Sequence, residues 1–263
     1  GVDPQELIDT RPFARAWHFH VLNQRSLYGL PRKFNVAFDG GGSVAALEDT
    51  NDIGFSAVEV VDGAGVEPGI WFRVLLGGIT GHKDFARPTG LYVKPEETTE
   101  IADAIVRIFI DHGDRTDRTK ARLKYLLDAW GFDKFVAEIE TRIGRQFARI
   151  PVDCIKERPL PDRMAHIGVH RQKQPGENWI GVVLKSGLLS AAQMEGLARI
   201  SHEFGDGDLR LTVWPPIILT GVADEKLAAA IAAIEALELS TRATPLRAGL
   251  VSSTGNTGCM QQL

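Results

Sequence analysis

The chain has 263 residues, 44% of them apolar, a formal net charge of −4 and two cysteines, Cys154 and Cys259. That length allows one large domain or two ordinary ones, with an apolar fraction normal for a globular protein. The charge speaks against non-specific nucleic-acid binding, the longest apolar runs (such as 214–219) are too short to cross a bilayer, and two distant cysteines speak against a disulfide framework. No nucleic acid, no membrane, no signal peptide and a cytoplasmic location are therefore expected.

In chain order, Asp9-Thr10-Arg11-Pro12 predicts a helix start, because proline is tolerated in a first helical turn. Residues 34–38 predict a short strand running into the sharp turn Asp39-Gly40-Gly41-Gly42. Two more strands, 55–61 and 70–76, are joined by a glycine-rich loop, and the second ends on Gly77-Gly78. The spacing of Ile101, Ala104, Ile105 and Ile108 predicts a helix over 95–111, with Glu96 and Glu97 at its positive end. Further helices are predicted over 119–130, ending before Gly131, and over 132–143. Residues 150–163 hold three prolines and read as a linker. Beyond them come a strand at 178–184, a helix at 190–204, strands at 208–213 and 217–220, and an alanine-rich helix at 224–237. Ser190 and Gln193 have capping-box spacing. Strand, helix, strand, strand, helix is most of a split βαβ unit. The expected class is α+β: an α/β domain over 1–150, a ferredoxin-like domain over 151–240, and a new element starting at 241–263.

Four places could carry chemistry. In Leu30-Pro31-Arg32-Lys33-Phe34-Asn35, strand alternation puts Lys33 and Asn35 on one face and Phe34 on the other. A cation beside an amide can bind and protonate a small oxyanion; a solvent-exposed edge presents the same pattern. In 115–124, Arg118 and Arg122 stand four apart and share a face if the segment is helical. Two guanidinium forks suit carboxylates, and a solvated helix face is the plainer alternative. His170-Arg171-Gln172-Lys173-Gln174-Pro175-Gly176 reads as a polar surface turn; His166 and His170 lack further ligands for a metal. Ser253-Thr254-Gly255-Asn256-Thr257-Gly258-Cys259 could bring amides and one thiolate to an iron–sulfur cluster, although such a cluster normally takes four thiolates. There is no Walker loop, nucleophile elbow or HExxH, and Gly40-Gly41-Gly42 lacks dinucleotide-site spacing.

Taken together these segments resemble the siroheme and 4Fe–4S nitrite and sulfite reductases. The similar stretches are Asp9-Thr10-Arg11-Pro12, Leu30 to Asn35, Leu75-Leu76-Gly77-Gly78, Asp117 to Lys124, Gly168 to Gln174, Arg210-Leu211-Thr212-Val213 and Gly249 to Asn256. The resemblance implies six-electron reduction of nitrite to ammonia, or of sulfite to sulfide, with siroheme, a 4Fe–4S cluster and an electron donor such as ferredoxin. It implies Lys33 and Asn35 at the substrate, and Arg32, Arg118, Arg122, Gly77, Gly78, Lys173, Thr254, Gly255 and Asn256 around the cofactors. Cys259 is implied as a cluster ligand. Lys-x-Asn resembles the nitrite type, and Lys-x-Lys the sulfite type. Ser253 stands where the family has its first cluster cysteine, and Trp214-Pro215-Pro216 and Arg171 also depart from the pattern. The chain is thus expected to stop before the cluster-binding sequence is complete and to need a second chain or segment. The alternatives are a truncated, cofactor-free paralogue, a sulfite reductase, or a precorrin-3B synthase.

Overall fold

The computed structural model describes residues 1–156, 158–162 and 164–244, with the backbone alone at His82. Two compact units emerge, one of Gln5–Leu160 and one of Gly1–Pro4 with the residues from Pro161 onward.

In the larger unit, helix α1 (Arg11–Asn23) begins where expected, with proline in its first turn. Strands β1 (Val36–Asp39), β2 (Ile53–Val60), β3 (Gly69–Leu76) and β4 (Arg87–Val93) form a sheet in that order. β1 runs parallel to β2, and the other neighbours are antiparallel. Strand β5 (Ile155–Lys156) pairs with Glu59 and Val60, extending the edge of β2 that β1 occupies at its other end. The expected linker over 150–163 is corrected by this pairing: its first part belongs to the sheet, and the units part between Leu160 and Pro161.

Strand alternation divides the sheet's two faces. Ile53, Phe55, Ala57, Phe72, Val74, Leu76, Leu91 and Val93 face a core shared with helices α2 (Thr98–His112), α3 (Leu123–Trp130) and α4 (Phe132–Ile143). Phe38 stacks on Phe55 at 4.9 Å, and Phe72 meets Phe55 edge-on at 6.1 Å. Val58, Val60, Trp71, Tyr92 and Ile150 cluster separately.

The smaller unit is a four-stranded antiparallel sheet: β6 (Gly168–Arg171), β7 (Glu177–Val182), β8 (Leu209–Leu211) and β9 (Ile217–Ala223), in spatial order β6-β7-β9-β8. Helices α5 (Ala191–Phe204) and α6 (Leu227–Ala236) supply Leu197, Ile200, Ala230 and Ile234 to its core, opposite Ile180, Val182, Leu219 and Val222. β7-α5-β8-β9-α6 is the predicted split βαβ run. The outer place beside β7, which a closing fourth strand takes in a ferredoxin-like fold, is filled from upstream by β6.

Helix α5 starts in the expected capping box. The Gln193 amide donates to Ser190 Oγ at 3.2 Å, and the Ser190 amide to Gln193 Oε1 at 3.0 Å. Ser190→Ala leaves an N-terminal amide without its partner and is expected to lower unfolding free energy by about 1 kcal/mol. Urea denaturation checks this, and an unchanged midpoint contradicts it.

A cation-lined cavity in the larger unit

The chain before β1 is not part of the strand, yet the predicted alternation survives. Phe34 packs into the core, 5.7 Å from Phe109, while Lys33 and Asn35 both line a cavity. The cavity has a volume of about 360 Å³ and is walled by Arg32, Lys33, Asn35, Thr50, Asn51, Ile79, Thr80, Gly81 and Arg122. No acidic residue is among them. This size is at the low end for small-ligand pockets, enough for a small oxyanion or the carboxylate edge of a larger group.

Beneath the wall lies an ion pair. Asp52 is 1% exposed and Arg122 4%. Arg122 Nε donates to Asp52 Oδ1 at 3.0 Å and Nη2 to Oδ2 at 2.9 Å, a bidentate arrangement. Asp52 Oδ2 also accepts the Asn35 backbone N–H at 2.9 Å. Arg32 is held separately, its Nη1 donating to the Arg118 carbonyl at 3.0 Å. Lys33 is exposed. The Asn51 side chain caps the 3₁₀ turn Glu48–Thr50 by donating to the Leu47 carbonyl at 3.0 Å.

The expected helix face of Arg118 and Arg122 does not exist. Asp114 accepts the amides of Thr116 and Asp117, and Asp117 accepts that of Thr119, so side chains compete with helical bonding through this stretch. Helix α3 starts only at Leu123, with Arg122 as its extended N-cap. Arg118 is exposed and approaches the cavity only through its carbonyl, whereas Arg122 is buried in the wall. The repeated Asp-Arg-Thr of 114–119 is the sequence signal for these turns.

Gly77 and Gly78 are accounted for by protein packing. A Cβ at Gly78 would lie 2.5 Å from the carbonyl oxygens of Asp49 and Asn51, and Gly77 has φ +92° with Leu127 Cδ1 3.0 Å from its missing Cβ. The bareness of Gly78 seats the β3 end on the 49–51 backbone. Lys173 lies in the smaller unit, in the turn between β6 and β7, its amide donating to the Val2 carbonyl. His166 stacks on Trp214 and His170 on Trp179. Arg171 pairs with Asp224. Thr254, Gly255, Asn256 and Cys259 lie outside the described residues. Sequence reasoning missed Asp52, Thr50, Asn51 and Thr80; an acid directly ahead of the apolar run 53–58 was the available signal for Asp52.

Siroheme carries eight carboxylates, and the donor set of Arg32, Lys33 and Arg122 suits such an edge. For an iron–sulfur cluster, the described residues contain no group of three or more His, Cys, Asp or Glu able to hold a metal.

A mixed α+β chain with a ferredoxin-like half and a cation-walled cavity defines the class, and comparison with known proteins gives the family. Residues 1–147 match the nitrite and sulphite reductase 4Fe-4S domain, and residues 170–237 the nitrite/sulfite reductase ferredoxin-like half domain. The chain belongs to the nitrite and sulfite reductase family. It is 34% identical to the chloroplastic ferredoxin–nitrite reductase of Zea mays, over all of this chain and 47% of that protein. It is 36% identical to the ferredoxin–nitrite reductase of Leptolyngbya laminosa, over 81% of this chain and 41% of that one. The structure of the Mycobacterium tuberculosis NirA protein superposes with a TM-score of 0.86 at 26% identity, covering 97% of this chain and 45% of that one. The chain thus spans about half the length of the relatives it matches. Among the described residues, no helix is long and apolar enough to cross a membrane.

Glu48, on the 3₁₀ turn next to the wall residues Thr50 and Asn51, has its pKa raised by burial and by the charge of Asp39, with Ser56 and Arg158 opposing. For a raised acid, full stability holds below its unfolded value and is lost as pH rises through the folded one. Glu48→Gln is therefore expected to raise the melting temperature at pH 8 and leave it unchanged at pH 4. Thermal unfolding at both values checks this, and equal effects at both contradict it.

Proposed function

We propose that this chain is the part of a siroheme-dependent nitrite reductase that meets the anion, in an enzyme reducing nitrite to ammonia with a ferredoxin-type electron donor. The observation that carries the reading is the placing of Lys33 and Asn35 on one wall of a cavity that holds three cationic and no acidic side chains. Arg32 would hold a carboxylate of the tetrapyrrole, and Arg122, its charge already met by Asp52, would offer only its remaining Nη1 donor. Siroheme, when bound, supplies the iron that takes the anion and passes it electrons. Lys33 Nζ offers charge and a proton to nitrite, whose two oxygens leave as water and so need proton donors within reach. Asn35 contributes an uncharged side-chain donor. A singly charged anion needs less compensating charge than a doubly charged one, which supports nitrite over sulfite at a Lys-x-Asn wall. A relative named sulfite reductase (ferredoxin) 2, from Mycolicibacterium paratuberculosis, is 30% identical over 98% of this chain, so sulfite is the second reading. Lys173, Thr254, Gly255, Asn256 and Cys259 belong to this proposal as cofactor residues, with sequence beyond the chain completing the site. With two cysteines that form no close pair in sequence, the cytoplasm is the proposed compartment.

In the complete enzyme, Lys33→Ala is expected to lower kcat for nitrite by about 10²-fold or more while siroheme stays bound, since a positioned proton donor typically contributes that much. Turnover within a few-fold of wild type removes Lys33 from the substrate. Asn35→Lys is expected to raise the sulfite-to-nitrite ratio of kcat/KM. An unmoved ratio contradicts the selectivity argument.

A further inference from the structure

Three cations wall the cavity, but they are not equivalent. Arg122 has its Nε and Nη2 on Asp52, so its formal charge is cancelled in place. Among the described residues, the uncompensated charge lining the cavity comes from Lys33 and Arg32. Asp52 does more than neutralise. Its Oδ2 is shared between Arg122 Nη2 and the Asn35 amide, which lies two residues beyond Lys33. The Asn35 carbonyl in turn accepts the Ile53 amide at 3.1 Å, so Asn35 is tied to residues 52–53 through both its N–H and its C=O. The Asp52 carbonyl accepts the Gly77 amide at 2.9 Å, and Arg122 Nη2 reaches the Gly78 carbonyl at 3.4 Å. One buried residue thereby joins the segment before β1, the start of β2, the end of β3 and the N-terminus of α3. Those are the segments around which the wall is built.

We propose that Asp52 is a positioning residue for the anion site: its carboxylate sets Asn35, and with it Lys33, at a fixed spacing from Arg122, so that the anion meets aligned donors. This inference rests on the anion-binding reading above. It makes a prediction opposite in sign to simple electrostatics. Removing an acid from beneath a cationic cavity adds one positive charge and should tighten anion binding if charge alone matters. If positioning matters, binding weakens.

The test is a titration of the purified chain with sodium nitrite at constant ionic strength, followed by amide NMR, for wild type, Asp52→Asn and the doubly neutral Asp52→Asn/Arg122→Met. The double variant leaves neither partner of the pair buried and charged, so it serves where the single variant fails to fold. The expected result is saturable shifts at Lys33 and Asn35 in wild type and a dissociation constant at least tenfold larger in the variants. Unchanged or tighter binding in either folded variant overturns the proposal. If wild type binds no nitrite in the absence of the siroheme iron that takes the anion, amide exchange decides the positioning claim. Exchange at Asn35 at least tenfold faster in the double variant, with Phe55 and Phe72 unaltered, supports it. Equal exchange at Asn35 overturns it.

Discussion

The Asp52–Arg122 ion pair is the constraint on which the cavity depends. Two opposite charges that are almost fully buried lose several kcal/mol of hydration each, and their attraction offsets this only when the remaining hydrogen-bonding capacity is met. Here it is met within the pair and by two further segments: the Asn35 amide before β1 donates to Asp52, just ahead of β2, and the Gly78 carbonyl just past β3 accepts from Arg122. Removing one partner of such a pair typically destabilises by about 3–5 kcal/mol, because the other is left buried and unpaired. The pair therefore acts as a lock on loop positions. The same buried geometry that demands complete pairing also leaves little freedom for Asn35.

Around that lock, charge is sorted by distance from solvent. Arg122 is neutralised, Arg32 is steered by the Arg118 carbonyl, and exposed Lys33 stays at the mouth. Lys124, the second residue of α3, is turned away into its own pairings with Asp84 and Asp128, which raise its pKa. A cavity that presents modest, directed positive charge suits a small monovalent anion better than a surface crowded with lysines. The Gly78 contact explains how the wall comes so close to the sheet, since any side chain there would strike the 49–51 backbone.

Much of the architecture was legible in the sequence, for local reasons. The helix at 132–143 was read at its true bounds because Gly131 and Gly144 both take positive φ at its ends. The Ser190 capping box and the Lys33/Asn35 alternation were likewise local patterns. Strand β4 escaped because Pro88 and Gly90 interrupt it; as an edge strand it tolerates both. β5 is two residues set among prolines, and β6 is a polar edge that reads as a turn. The Arg118/Arg122 face failed because the Asx turns at Asp114 and Asp117 outcompete helix initiation there. The partnership of Asp52 and Arg122 could not be read at all, since 70 residues separate them and nothing in either segment names the other.

The most direct test of the account is a titration of siroheme into the purified chain, followed in the Soret region of the absorption spectrum, for wild type and for Arg32→Ala/Lys33→Ala. A saturable spectral change at one siroheme per chain is expected in wild type and a strongly weakened one in the variant. A change of equal affinity in both, or one that never saturates in wild type, would contradict the claim that this cavity is where the cofactor's acidic edge and the anion are held.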